Sequence, residues 1–210
     1  MKLYCFGESG HSYKVALALT LSGTKWQAEH VDFFNGAARS DDYKENINEM
    51  GECPVLVDGD HTLSQSGVIL DYLSDKTGKF GGETADDKRE VLRWILWDNH
   101  KFSAMIGMTR FLLNFLSEKH RPAEVIAFNQ GRIKSAMAVL DTHLTGRDFV
   151  VGRNVTNADI SLCSYLYYPE TCGVDVAQYP NIVAWLDRIK ALPNWQAPYD
   201  LMQPAFQRGQ

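Results

Sequence analysis

The sequence predicts two units in succession, a mixed α/β unit at the amino-terminal end and an all-helical unit after it. Three observations carry this. Up to about Gly78 short β-like runs alternate with helix-like ones, whereas beyond Asp87 the apolar spacing is almost entirely helical. Charge divides at the same place: the first 78 residues hold 6 basic and 12 acidic side chains, the remainder 15 and 14. Between them Gly78, Gly81 and Gly82 mark a linker over residues 79–86. The 210 residues suit two modest domains, 1–78 and 87–210, at roughly 100–150 residues per domain.

In order, Lys2 to Phe6 reads as a strand, and Ser12 to Leu21 as a helix with Val15, Ala18 and Leu19 on one face and Gly23 as its stop. Trp26 to Val31 is a second strand, followed by a polar, irregular stretch from Asn35 to Met50. Val55 to Val57 is a third strand, turned by Asp58-Gly59-Asp60 into a fourth around Thr62 and Leu63. Ile69, Tyr72 and Leu73 then fall at helical spacing. The order βαβ, connection, ββα, with Pro54 directly before the third strand, outlines a thioredoxin-like fold.

Beyond the linker, Thr84 to Asp87 starts a long helix carrying Val91, Leu92, Ile95 and Leu96, with an interruption predicted near Gly107. Pro122 suits the first turn of another, with Ile133, Met137, Leu140 and Leu144 inward. Val155 to Ile160 is a complete helix start: Thr156 caps, Asp159 reaches back, and Val155 and Ile160 form a hydrophobic staple. Thr156 and Asp159 therefore hold a helix and do no chemistry. Pro180 to Leu192 is the final helix, with Ile182, Trp185, Leu186 and Ile189 inward.

Composition narrows the function. A net charge of −5 argues against nucleic acid as partner. Apolar runs such as Val15 to Leu21 fall far short of the ~20 residues a membrane span needs, and the expectation is a soluble, cytoplasmic protein. Cys5, Cys53, Cys163 and Cys172 form neither a C-x-x-C pair nor metal-ligand spacing, so neither a metal nor a dithiol centre is predicted.

Three segments can carry chemistry. A cis peptide before Pro54 would present the backbone N–H and C=O of Cys53 to a peptide-like ligand. Gln65-Ser66-Gly67 opens a helix, where backbone donors and the positive end of the dipole suit a carboxylate. In Gly7-Glu8-Ser9-Gly10-His11-Ser12 the hydroxyls stand at another helix start, where a thiolate is stabilised by the same field. Each serine also reads as an ordinary cap. His11 has no orienting partner in the sequence and ranks behind the serines as a base.

Taken together, Lys2-Leu3-Tyr4, the loop into Val15-Ala16-Leu17-Ala18-Leu19, Asn48-Glu49-Met50-Gly51-Glu52-Cys53-Pro54-Val55-Leu56, Leu63-Ser64-Gln65-Ser66 and Thr156-Asn157-Ala158-Asp159 resemble the cytosolic glutathione transferases over the full length. The resemblance is to bacterial, serine-type members with some beta-class features. It implies that the first half binds glutathione as co-substrate, with no metal, and that the helical half supplies most of the pocket for a small-molecule electrophile. It also implies a homodimer.

Residue by residue, Gln65 and Ser66 match the pair holding the γ-glutamyl end, and Cys53 with Pro54 matches the backbone clamp on the cysteinyl moiety. Glu52 stands where many members have Lys or Gln facing the glycine end, a departure that removes the usual attraction. Ser9, five residues before Lys14, matches the hydroxyl that stabilises the thiolate, with Ser12 second; Tyr4 is too early for a tyrosine-type role. Asp98-Asn99-His100-Lys101-Phe102 is similar to a beta-class segment whose acid reaches glutathione of the neighbouring subunit and whose His approaches the thiol. Phe33, Phe34, Phe102, Met105, Ile106 and Met108 are the candidate walls of the electrophile pocket.

The expected activity is attack of a glutathione thiolate on an apolar electrophile, in detoxification. Two other readings compete. One is a zeta-type glutathione-dependent isomerase, from which Gly10 and His11 depart where that subgroup has Ser and Cys. The other is a catalytically silent binding module, supported by Glu52.

Overall fold

In the computed structural model, residues 1–206 are described, and they form two compact units. The first comprises Met1–Lys79 together with residues 193–206, the second Phe80–Leu192.

The first unit holds β1 (Lys2–Cys5), α1 (Gly10–Ser22), β2 (Gln27–His30), α2 (Asp41–Asn46), β3 (Val55–Asp58), β4 (His61–Ser64) and α3 (Ser66–Thr77). Strand order is β2-β1-β3-β4; β1 and β2 run parallel and the other pairs antiparallel. This is the thioredoxin-like arrangement. Leu3, Leu17, Val55, Leu56, Ile69 and Leu70 are fully buried between the sheet and the α1 and α3 helices. Gly23 stops α1 in the left-handed region at φ 76°, its N–H donating to the Leu19 and Thr20 carbonyls.

Two sequence expectations change here. The stretch from Asn35 to Met50 contains α2, capped by Ser40, whose Oγ accepts the Tyr43 N–H at 3.2 Å. Six residues with one buried side chain, Tyr43, are too few to show a helical period. Residues 193–206 also leave the helical unit: they include α9 (Pro198–Leu201) and pack on the first unit, where the Tyr13 hydroxyl donates to the Gln196 carbonyl at 2.7 Å.

The second unit holds α4 (Ala85–Trp97), α5 (Ser103–Asn114), α6 (Ala123–His143), α7 (Asn157–Cys163) and α8 (Pro180–Lys190). Ile133, Met137, Leu140, Ile182, Trp185 and Ile189 form its core, all fully buried. Asp159 ties α7 to its surroundings. One carboxylate oxygen accepts the Thr156 N–H (2.8 Å) and hydroxyl (2.9 Å), the other the Val150 N–H (2.8 Å) and the Trp185 indole N–H (2.9 Å). Burial nevertheless pushes its pKa up.

The interruption expected near Gly107 lies instead at Asp98–Phe102, a π-helical turn between α4 and α5. Gly107 sits inside α5, where a Cβ would fall 2.9 Å from the Tyr165 ring; it is there for close packing and does not break the helix. Among the described residues no helix is long and apolar enough to cross a membrane.

Candidate active site

The sheet register gathers the candidate segments of the first unit. Val55 pairs with Tyr4 on one side and Ser64 on the other. The loop leaving β1, the Cys53-Pro54 turn entering β3 and the Gln65-Ser66 step leaving β4 therefore all emerge from one end of the sheet. Two helices, of 13 and 12 residues, begin there and present their positive ends.

At the start of α1, Ser9 is the cap residue, and its Oγ accepts the Ser12 N–H at 3.1 Å. Capping uses the acceptor side of a hydroxyl and leaves its O–H to donate. Ser12 occupies the third helical position, is fully enclosed, and its hydroxyl finds no hydrogen-bond partner among the described residues. Ser9 thus keeps a donor at the start of α1, whereas the Ser12 side chain is enclosed.

Ser66 opens α3 behind Gln65, which holds φ 66°, ψ 112°. A non-glycine residue in that region marks a constrained site. The Gln65 amide donates to the Glu52 carboxylate at 3.1 Å and to the Met50 sulfur at 3.4 Å. Glu52 thus has a partner within the unit, and its acid orients Gln65. The Cys53-Pro54 bond is cis.

Behind this turn stand two residues to which sequence reading assigned no role. The Tyr43 hydroxyl donates to the Glu52 carbonyl at 3.1 Å and lies 3.3 Å from the Cys53 sulfur, and the Asn48 amide donates to the same carbonyl at 3.0 Å. No local pattern marks Tyr43, because its partners lie nine and ten positions on. Burial pushes the Cys53 thiol up to about 11 and the Cys5 thiol up to about 12. Both stay protonated at neutral pH and neither is a nucleophile there.

His11 links the two helix starts. Its Nδ1 lies 3.5 Å from the Ser66 Oγ. Burial, and then the Lys14 charge, lower its pKa to about 3, so the imidazole is neutral at physiological pH. It can donate or accept a hydrogen bond beside an anion without adding charge.

The candidates outside this cluster fare differently. Asp98 is fully buried inside the helical unit: one oxygen accepts the Ser103 N–H (3.2 Å) and hydroxyl (2.7 Å), the other the Ser161 hydroxyl (2.6 Å). A carboxylate enclosed and satisfied in this way cannot reach a neighbouring subunit's ligand, so that expectation is corrected: Asp98 pins the π-helical turn to α7. His100 is exposed on the same turn. Phe102 is fully buried and stacked on Trp97 at 5.8 Å, which makes it core and removes it from the pocket wall.

Met105 is half-buried on α5, and Ile106 lines a cavity of 520 Å³ within the helical unit together with Tyr165, Tyr168 and Val174. In the first unit Phe34 is half-buried among Phe6, Phe33 and Phe206, its ring centroid 5.0 Å from that of Phe206. Sequence reading missed Phe206, which lies 172 positions from Phe34. Among the described residues no group of three or more His, Cys, Asp or Glu could hold a metal ion.

Family models match twice: "Glutathione S-transferase, N-terminal domain" over residues 1–75 and "Glutathione S-transferase, C-terminal domain" over residues 103–193. A zeta-class glutathione S-transferase of Euphorbia esula is 28% identical over 207 residues, covering 97% of this chain and 92% of the relative. Among solved structures, a glutathione S-transferase from Pseudomonas fluorescens superposes with a TM-score of 0.87 at 28% identity, covering 94% of this chain and 98% of the other. One from Xanthobacter autotrophicus gives 0.86 at 28% identity, covering 95% and 98%.

Proposed function

Because the chain belongs to the glutathione S-transferase family and is a glutathione transferase, we propose that its first unit lays glutathione along one end of the sheet, with the sulfur at the amino end of α1. Ser9 donates its O–H to the sulfur and the α1 dipole adds its field, both favouring thiolate over thiol. Ser66 and the first N–H groups of α3 hold the γ-glutamyl carboxylate, with Gln65 beside it. The backbone of Cys53 pairs with the cysteinyl moiety, and Glu52 acts through Gln65.

Thiolate is the nucleophile and serine is not. A sulfur–carbon bond forms at the electrophile as its leaving group departs with the electron pair. Phe34 and Phe206 offer an apolar wall in the first unit.

The observation that carries this reading is the register of Tyr4, Val55 and Ser64, which delivers Ser9, Cys53 and Ser66 to one sheet end. The test is Ser9→Ala. Conjugation of a generic aryl halide should fall by about 10–100-fold, the worth of one hydrogen bond to a charged group, with a much smaller change in glutathione affinity. Unchanged conjugation would remove Ser9 from the mechanism. Retention on immobilised glutathione without any turnover in the wild type would favour the silent module.

A zeta-type isomerase is the second reading, favoured by the full-length likeness to the Euphorbia protein and opposed by Gly10 and His11. Detoxification, a cytoplasmic location and a homodimer complete the proposal. The exposed Leu92 and Leu96, one turn apart on α4, support a dimer face.

A further inference from the structure

Glu8 has no part in the chemistry above, yet it is 6% exposed and precedes Ser9 directly. Its carboxylate turns towards the carboxy-terminal segment of the same unit. One oxygen accepts the Ala205 N–H and the other the Phe206 N–H, each at 2.9 Å. One residue earlier, the Gly7 N–H donates to the Gln203 carbonyl at 2.7 Å. A Cβ on Gly7 would stand 2.9 Å from the Pro204 N and Cα, so the two backbones approach more closely than any other residue permits. Residues 203–206 thus lie along the loop that carries Ser9.

On its own side that loop is held by a turn, the Ser9 N–H donating to the Phe6 carbonyl at 3.2 Å. Two charge-assisted bonds from one buried carboxylate to consecutive backbone N–H groups add to that hold, because they fix orientation as well as distance. A hydroxyl that must meet a sulfur within hydrogen-bond range gains from being fixed in advance.

We propose that Glu8 is a positioning residue and that residues 203–206 are the strut it grips, together holding the Ser9 hydroxyl where the glutathione sulfur arrives. This rests on the reading of Ser9 as the thiolate donor. The carboxylate does not touch the ligand; it acts through the loop.

The test measures kcat/KM for a nitroaryl chloride against pH at saturating glutathione, in wild type, Glu8→Gln, Gly7→Ala and Ser9→Ala, with glutathione Kd and Tm alongside. Under those conditions the acid limb reports ionisation of the bound thiol. Glu8→Gln replaces one acceptor oxygen by an NH₂ group facing an N–H, and Gly7→Ala keeps the carboxylate while pushing the strut away. Both should move the midpoint upward by about 0.5–1 unit, a three- to tenfold loss below the midpoint that disappears at high pH, in the direction of Ser9→Ala. Because Glu8 acts through Ser9, the double variant Glu8→Gln/Ser9→Ala should move no further than Ser9→Ala alone.

A lower Tm with an unmoved midpoint in both Glu8→Gln and Gly7→Ala would overturn the proposal while leaving Ser9 in place. An additive double variant would overturn it as well. An unmoved midpoint in Ser9→Ala would instead show that the underlying reading of Ser9 has failed. Should Glu8→Gln not fold, Gly7→Ala alone decides.

Discussion

The amino ends of α1 and α7 use the same capping device and put it to different ends. At α7, Thr156 caps and Asp159 stands at the third helical position, its carboxylate fully enclosed and taking four hydrogen bonds. At α1, Ser9 caps but the third position is Ser12, the first turn holds no acid, and the adjacent Glu8 is turned to the carboxy-terminal segment. The positive end of α7 is met by an acid from within the chain, whereas the first turn of α1 holds none. The start of α4 sides with α7, its Thr84 cap answered by Asp87. At α4 and α7 an acid at the third position closes the helix start from within, and α1 has no such acid.

The largest effect expected from this contrast is on stability. Asp159→Ala leaves two backbone N–H groups, a hydroxyl and an indole N–H without their acceptor, and should cost about 3–5 kcal/mol, read from denaturant midpoints. Asp98→Ala should cost about 2–3 kcal/mol by the same measurement and leave glutathione Kd unchanged. A large change in Kd there would restore a ligand contact for Asp98.

Ser9→Ala should show the inverse pattern. Losing one cap costs about 1 kcal/mol of stability, while conjugation falls by the larger factor given above. His11 gives a pH signature. Its folded pKa, about 3, lies below the unfolded value of 6.5, so the unfolded chain binds the extra proton between them. Stability should therefore fall as pH drops through that window, by up to about 1.4 kcal/mol per unit, and His11→Gln should flatten the slope. The smallest effect is expected at Glu52→Gln, which keeps an oxygen for the Gln65 amide: a change in glutathione KM of about twofold.

Much of this was legible because it is local. The alternation around Val55, the glycine after α1, and the Thr156-Asp159 pair each state their structure within a few residues. Ser9 and Ser66 were readable for the same reason, since a hydroxyl before an apolar helical run is a start signal. What escaped depends on distance or on two residues sharing one role. From its neighbours alone Asp98 reads as a functional acid, whereas Ser103 and Ser161, the latter 63 positions on, occupy it. Glu52 appeared as a lost cation, whereas its carboxylate meets Gln65. Nothing local marks Glu8, whose partners lie 197 and 198 positions away. Glycine, the usual breaker, points to Gly107, while the actual break at Asp98–Phe102 contains none.

The most direct test of the contrast is the ionisation of bound glutathione, followed by thiolate ultraviolet absorbance against pH in the wild type and in Ser9→Ala. The wild-type midpoint should lie at least about one unit below the 8.5 of a free thiol and return most of the way to that value when Ser9 is replaced. Coincident midpoints in the two proteins would contradict it.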